Sequence, residues 1–119
     1  MNNPTWRELA ADAAETIERA QAAGEPTQAV AELSEAGRAV EAALREAMAA
    51  AVLAGASMRR VAEIAGIAPN SVPPRLARSR PLAPYASVDG GITADSIAVA
   101  RHDAATGRPP MTFTPRRKD

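Results

Sequence analysis

The chain has 119 residues, 14 basic and 14 acidic side chains, a formal net charge of +0 and no cysteine. The lack of cysteine excludes disulfide bonds and thiolate chemistry. No run of about 18 apolar residues occurs, and the acidic N-terminal half lacks the features of a signal peptide, so we expect a cytoplasmic protein without a membrane span. Alanine supplies 30 of the apolar residues. Alanine favours helices but makes a thin core, so we also expect self-association.

The charge is distributed unevenly between the two halves of the chain. Residues 1–50 carry four Arg against nine Asp and Glu, a net charge of −5. Residues 51–119 carry nine Arg and one Lys against five acidic residues, a net charge of +5. A basic half joined to an acidic half is typical of a nucleic-acid-binding module next to a helical element that does not bind. The alternative is a solvated arginine face without a function.

Two helices are predicted in the first half. The first spans 3–23, with Asn3 as its N-cap and Pro4 in the first helical position. The second spans 25–54 and ends before Gly55. Apolar residues recur at three- and four-residue steps in both helices, which predicts a coiled-coil-like antiparallel hairpin. The residues assigned to a homodimer interface between two hairpins are Trp6, Leu9, Ile17, Val30, Leu33, Val40, Leu44 and Met48.

The hairpin has two possible arrangements. In one, two chains bury their apolar stripes in a four-helix bundle. In the other, the hairpin folds back on the rest of its own chain as part of one monomeric domain. Gly37 lies within the second stripe, where it would let a partner helix approach closely, although it costs ~1 kcal/mol of helix propensity.

Residues 57–80 predict a helix, a tight turn and a second helix, and they contain five arginines and one glutamate. Ser57 suits the N-cap of the first helix, and Gly66 can end that helix in the left-handed conformation. Ile67 is expected to fill the gap beneath the turn, and Val72 to pack back from the second helix. Two short helices packed at a steep angle form a helix-turn-helix.

The apolar positions of this stretch have a recognisable spacing. The offsets 0, +1, +4, +5, +6 and +11 are occupied by Val61, Ala62, Ala65, Gly66, Ile67 and Val72. This pattern resembles the DNA-binding helix-turn-helix of bacterial repressors, the lactose-repressor type among them, and covers about one fifth of the chain. The resemblance implies a small regulator, of the type found on plasmids and phages, whose second helix enters the major groove.

Two prolines, Pro73 and Pro74, stand where the second helix of the repressor pattern should continue. Proline inside a helix costs ~3 kcal/mol but is tolerated in the first turn. We therefore expect Ser71 or Val72 at the N-cap and a short helix over 73–79.

The late start of this helix also changes its buried face. The repressor pattern usually has an apolar residue where this chain has Arg75, with Leu76 one place later. We expect the buried face to shift towards Leu76.

Arginines around the motif are expected to contact DNA. Arg75 and Arg78 lie three residues apart on one side of the second helix, where either can pair bidentately with guanine and discriminate by ~1–3 kcal/mol. Asn70 and Ser71 stand at the turn, where they can meet bases or phosphates. The full set of predicted DNA-binding residues is Arg59, Arg60, Asn70, Ser71, Arg75, Arg78, Arg80, Arg116, Arg117 and Lys118.

The chain after the motif predicts irregular structure and one further helix. Prolines punctuate residues 80–85, and Tyr85 is expected to close the small core. Thr93 is the expected N-cap of a helix over 94–105. Residues 111–114 alternate like a short strand, and the basic residues that follow either track DNA or are disordered.

No enzyme motif is present in the sequence. Gly-rich phosphate loops, HExxH and the spacing of a Ser/His/Asp triad are all missing. His102 is the only histidine and has no obvious metal or catalytic partner nearby. We therefore expect no catalytic residue, no metal and no cofactor.

Together these features predict an all-α protein with three segments. A helical hairpin over 1–54 dimerises or acts as a scaffold, a helix-turn-helix occupies 55–86, and 87–119 forms a C-terminal extension with a short helix and a basic tail. The expected function is sequence-specific binding of double-stranded DNA by a homodimeric transcriptional regulator. The alternative is a protein-interaction module that uses a helix-turn-helix scaffold without reading DNA.

Overall fold

A computed structural model describes residues 5–107, and the regular structure in this range is helical, which confirms the predicted all-α class. The predictions for Asn3, Pro4, the strand at 111–114 and the basic residues Arg116, Arg117 and Lys118 fall outside the described residues. The described elements are α1 (Trp6–Gln21), α2 (Pro26–Leu53), α3 (Met58–Ala65), a 3-10 turn (Pro69–Ser71), α4 (Val72–Ala77), a second 3-10 turn (Ala83–Tyr85) and α5 (Ala94–Thr106).

Helix α1 begins later than the sequence analysis predicts, because Thr5 is its N-cap in place of Asn3. The Glu8 N–H donates to Thr5 Oγ1 over 3.2 Å, and the Thr5 N–H donates to Glu8 Oε1 over 2.8 Å. This capping box satisfies two amides that have no acceptor within the helix.

The first compact unit ends at Ala47, inside α2, and contains the predicted helical hairpin. Helices α1 and α2 pack together through small residues: Ala13, Thr16 and Ala36 are buried. At the edge of this packing, Arg19 Nε lies 3.4 Å from Glu32 Oε1 and joins the two helices.

The residues predicted for a dimer interface are found in three environments. Met48 is only 3 % exposed in the core of the second unit, so it is not available to a second chain. Leu9 and Leu44 are half-buried. The exposed members are Trp6, Ile17, Val30, Leu33 and Val40.

The second compact unit begins at Met48. Its large apolar side chains with 0 % exposure are Val52 from α2, Val72 and Leu76 from α4, and Leu82 from the chain that follows. The helix-turn-helix and the C-terminal helix, predicted as separate segments with boundaries at 54 and 86, therefore share one unit with the end of α2.

Helix α5 is capped by a threonine at its N-terminus and by a glycine at its C-terminus. Its N-cap is Thr93, as predicted, and Thr93 Oγ1 accepts from the Ser96 N–H over 3.1 Å. Gly107, with φ of 72°, ends the helix in the left-handed region, which is open to glycine at little steric cost.

Candidate nucleic-acid interface

Helix α3 has well-defined ends, and both confirm the sequence prediction. Ser57 is the N-cap, and its Oγ accepts from the Arg60 N–H over 3.0 Å. At the other end Gly66 has a φ of 74°. The N–H of Ile67 donates to Ala62 O over 3.1 Å, and the N–H of Gly66 donates to Glu63 O over 3.3 Å. These two bonds form a Schellman motif, which fixes the direction in which the chain leaves α3.

The turn between α3 and α4 is short. Ala68 has an extended backbone, as expected for a residue that precedes proline. The 3-10 turn Pro69–Ser71 then leads directly into α4. This turn contacts both α3 and α4, and α3 contacts α4. The three elements thus form a helix-turn-helix.

The proline pair is accommodated in the first turn of α4. Ser71 is the N-cap, as predicted, so Pro73 and Pro74 take the second and third helical positions. Amides there have no intrahelical acceptor, so proline forfeits no hydrogen bond. The helix ends at Ala77, two residues before the predicted end.

The buried face of α4 is the one expected from its late start. Val72 and Leu76 are both 0 % exposed, one helical turn apart. Ser79 is also buried, and its hydroxyl donates to Leu76 O over 2.7 Å. Arg75, where the repressor pattern has an apolar residue, is only half-buried.

Asn70, Pro74 and Arg78 follow one another at four-residue steps and are all exposed; Asn70 lies in the 3-10 turn before α4, Pro74 lies in α4, and Arg78 directly follows its last residue. We call these three residues the outward face of α4. Within α4, Pro74 stands two residues from both Val72 and Leu76, and two residues correspond to about 200° around a helix. The side chains of Asn70 and Arg78 have no hydrogen bond or ion pair to another described residue. This face combines an amide, an apolar ring and a guanidinium, which are three of the groups that read base edges.

The other predicted arginines differ in how freely they can reach a ligand. Arg75 is half-buried and its Nη1 donates to Ser71 O over 3.4 Å, whereas Arg78 is exposed. Arg59 and Arg60 are exposed on the first turn of α3, and Arg60 Nη1 lies 3.5 Å from Glu63 Oε1. Arg80 is exposed just after α4. The predicted basic surface is therefore spread over α3 and the end of α4.

Helix α5 supports the motif through two polar side chains that the sequence analysis did not single out. Arg101 donates from Nε to Val52 O over 3.0 Å and from Nη2 to Ala56 O over 3.2 Å. These carbonyls lie at and beyond the end of α2, where a cation also complements the helix dipole.

Asp103, two residues later on α5, accepts from the Tyr85 hydroxyl over 2.6 Å in a buried site. Burial, and then the hydrogen bond to the Asp103 carboxylate, raise the pKa of Tyr85 from 10.0 to about 12. The predicted core role of Tyr85 is confirmed, since it is 8 % exposed. The local signal for this pair is weak, because the two residues are 18 positions apart.

Pro74 lies between Asn70 and Arg78 on the outward face with its ring exposed, and the sequence analysis did not include it among the DNA-binding residues. The signal was its spacing of four residues from both Asn70 and Arg78.

Other kinds of site find no support in the described part of the chain. Between residues 5 and 107, no group of three or more His, Cys, Asp or Glu side chains is placed to hold a metal ion. Over the same range, no helix is both long and apolar enough to cross a membrane. Comparison with known protein families, with curated proteins and with solved structures finds no match for this chain.

Proposed function

We propose that this protein is a sequence-specific DNA-binding protein, a homodimeric transcriptional regulator of the bacterial cytoplasm that reads the major groove with α4. The observation that carries the proposal is the outward face of α4, where Pro74 is exposed opposite the buried Val72 and Leu76 and is flanked by the exposed Asn70 and Arg78. A recognition helix needs this division between a face that packs and a face that reads.

Each group on this face suits a particular base edge. The Asn70 amide can bond bidentately to adenine, the Arg78 guanidinium can do so to guanine, and the Pro74 ring can touch a thymine methyl group. A good bidentate pair discriminates by about 1–3 kcal/mol, so two such pairs would set the sequence preference.

The remaining arginines supply affinity without sequence preference. Arg59, Arg60 and Arg80 are exposed around the motif and are suited to phosphate contacts. Each phosphate that a cation neutralises adds about 0.9 to the slope of log affinity against log salt. Alanine at Arg59 is therefore expected to reduce that slope by about one for each DNA-bound subunit.

The test is selection from a library of random-sequence duplexes with the purified full-length protein at physiological salt. We expect a palindromic consensus with half-sites about one DNA turn (~34 Å) apart. Arg78→Ala should lose the preference for guanine at one position of each half-site. Arg38→Ala is the matched control, because it removes the same charge from an exposed site on α2. Selection that yields no consensus would refute sequence-specific reading.

A protein-interaction module is the second candidate, and one observation favours it. Ile64 on α3 is 71 % exposed, and Pro74 on α4 is exposed as well, so the helix-turn-helix presents apolar groups to its surroundings. A chain that selects no DNA, but binds a partner protein and loses it on Ile64→Glu, would establish this function.

A further inference from the structure

The surface along which α1 and α2 pack against each other, which we call the seam, is built mostly from small residues. The residues of α1 that are not exposed are Leu9, Ala13, Thr16 and Ala20, and those of α2 up to residue 40 are Ala29, Glu32, Ala36 and Ala39. Both sets alternate steps of three and four, which is the spacing of one helix face. Among these eight residues, Leu9 is the only large apolar one. Packing within the chain therefore uses few of the large apolar side chains of the hairpin.

The large apolar side chains lie on one flank of this seam. Ile17 of α1 and Val30, Leu33 and Val40 of α2 each directly follow a seam residue, which places each about 100° further around its helix. Because the two helices of a hairpin run in opposite directions, the same rotation on each brings these residues to the same side.

The opposite flank is marked by an ion pair. Arg19 and Glu35 each directly precede a seam residue, and Arg19 Nη2 lies 4.0 Å from Glu35 Oε2. This contact between the helices shows that residues directly preceding a seam residue on α1 and on α2 meet on the same side of the hairpin.

The two flanks differ sharply in charge. Six of the eight positions that directly precede a seam residue are charged: Glu8, Asp12, Glu15, Arg19, Glu35 and Arg38. The eight positions that directly follow one are uncharged: Ala10, Ala14, Ile17, Gln21, Val30, Leu33, Gly37 and Val40. Trp6 lies eleven residues, or about three turns, before Ile17 and so on the same side.

We call this uncharged side the apolar flank. Its five large side chains, those of Trp6, Ile17, Val30, Leu33 and Val40, are 37 to 65 % exposed. Large apolar side chains that are exposed along one side of a helix pair are typical of a protein–protein interface. The uncharged residues of the flank favour an apolar partner; at one end the Arg7 guanidinium carbon lies 4.3 Å from the centroid of the Trp6 ring.

Gly37 lies in the middle of the apolar flank and makes no close packing contact with another described element. No atom of the described residues, beyond the helix itself and the adjacent residues, lies within 4 Å of where a Cβ would stand. Its φ is not positive either, so alanine would be accepted there. Glycine costs roughly 1 kcal/mol relative to alanine in a helix interior. A close approach by a helix from outside the chain gives this glycine a function.

The apolar residues of α2 are spaced nearly symmetrically about Gly37. Val30 and Leu33 precede it by seven and four residues, and Val40 and Leu44 follow it by three and seven. A surface that pairs with its own copy across a two-fold axis must be self-complementary in this way. With the axis at Gly37 and the two helices antiparallel, Leu33 faces Val40 of the copy, and Val30 faces its Leu44.

From these observations we propose that the apolar flank binds a second copy of this chain, with the two α2 helices antiparallel and crossing at Gly37. The helix pairs then form a four-helix bundle in which adjacent helices run in opposite directions. This dimer rests on the proposed function, since it is the homodimer named there, and it specifies the surface, the direction and the register. Its test needs no DNA, so either can fail without the other.

The first experiment measures the mass of the full-length protein in solution by sedimentation. We expect a dimer, and we expect Leu33→Glu to weaken self-association by about 100-fold or more, because it places a charge in the apolar interface. Ala31→Glu is the matched control: it adds the same charge at an exposed site that directly precedes Glu32, on the charged flank. A monomeric protein, or a dimer that survives Leu33→Glu, overturns the proposal. Circular dichroism shows whether each variant keeps its helices.

A second experiment tests direction and register by cross-linking, for which the chain is well suited because it contains no cysteine. The double variant Leu33→Cys/Val40→Cys should form disulfide-linked dimers on oxidation. Leu33→Cys alone should not, because the two Leu33 positions are roughly 12 Å apart along antiparallel helices. Efficient cross-linking of the Leu33→Cys single variant would instead indicate parallel helices and contradict the pairing at Gly37.

Discussion

The hydrogen bond between Tyr85 and Asp103 makes a quantitative prediction about the stability of the unit that carries the helix-turn-helix. Tyr85→Phe removes the hydroxyl that donates to the Asp103 carboxylate over 2.6 Å, while the ring still fills its buried site. A hydrogen bond to a charged group is worth about 1.5–3 kcal/mol, and its loss leaves a buried carboxylate without that donor. We therefore expect the free energy of unfolding at neutral pH to fall by about 2 kcal/mol.

The same bond predicts how stability responds to alkaline pH. The folded protein holds the Tyr85 proton more tightly than the unfolded chain, because its pKa is raised from 10.0 to about 12. The stabilisation is therefore complete below pH 10 and is lost as the pH rises towards 12. A difference of this size corresponds to about 3 kcal/mol at most.

Composition makes this measurement unusually clean. Tyr85 is the only tyrosine, Lys118 is the only lysine and there is no cysteine, so few other groups titrate in this interval. Absorbance of tyrosinate gives the ionisation midpoint of Tyr85, and urea unfolding followed by circular dichroism gives the stability at each pH. The loss of stability above pH 10 should largely disappear in Tyr85→Phe. An ordinary midpoint near 10, or an equal alkaline loss in the Phe variant, would refute the reasoning.

Three further predictions concern the helix-turn-helix and its support. Leu76→Ala should lower the free energy of unfolding by about 2–5 kcal/mol in urea titrations, since Leu76 is fully buried, and a cost below 1 kcal/mol would contradict the register of α4. Gly66→Ala should cost about 1–2 kcal/mol in thermal unfolding, because the φ of Gly66 is 74°. Gly24→Ala should not destabilise, because the φ of Gly24 is not positive and there is open space around it, and equal effects of the two variants would contradict the strain argument. Arg101→Met should cost about 1–3 kcal/mol by the same assay, because two carbonyls near the end of α2 each lose the donor that Arg101 supplies, and an unchanged stability would show that water replaces the side chain.

Local sequence chemistry was sufficient to predict most helix ends. Ser57 and Thr93 cap helices where a hydroxyl precedes a suitable run of residues, and Gly66 ends α3 in the left-handed region. The shift of the buried face from Arg75 to Leu76 also followed from sequence, because proline restricts where a helix can begin. Thr5 was missed although the capping-box pattern of Thr5 and Glu8 is visible, since an Asn-Pro pair just before it offered a competing start.

Features that depend on distant residues could not be predicted in the same way. Met48 continues the heptad spacing of the apolar stripe, yet it is buried in the second unit. The spacing could not predict this, because a repeat along one helix does not show at which residue one compact unit ends and the next begins. The pairs Tyr85–Asp103 and Arg101–Val52 join residues 18 and 49 positions apart. The division of the hairpin into an alanine-rich seam and an apolar flank also required knowledge of which helix face packs.

The most direct test of DNA reading is the ratio of two affinities, measured with the full-length protein at one physiological salt concentration. The two ligands are the duplex recovered by selection and a scrambled duplex of the same length and composition. The proposed function predicts a preference of about 1,000-fold or more for the selected duplex. We expect Arg78→Ala to reduce this preference at least tenfold and Arg38→Ala to preserve it. Equal affinity for the two duplexes would contradict the claim that α4 reads base sequence.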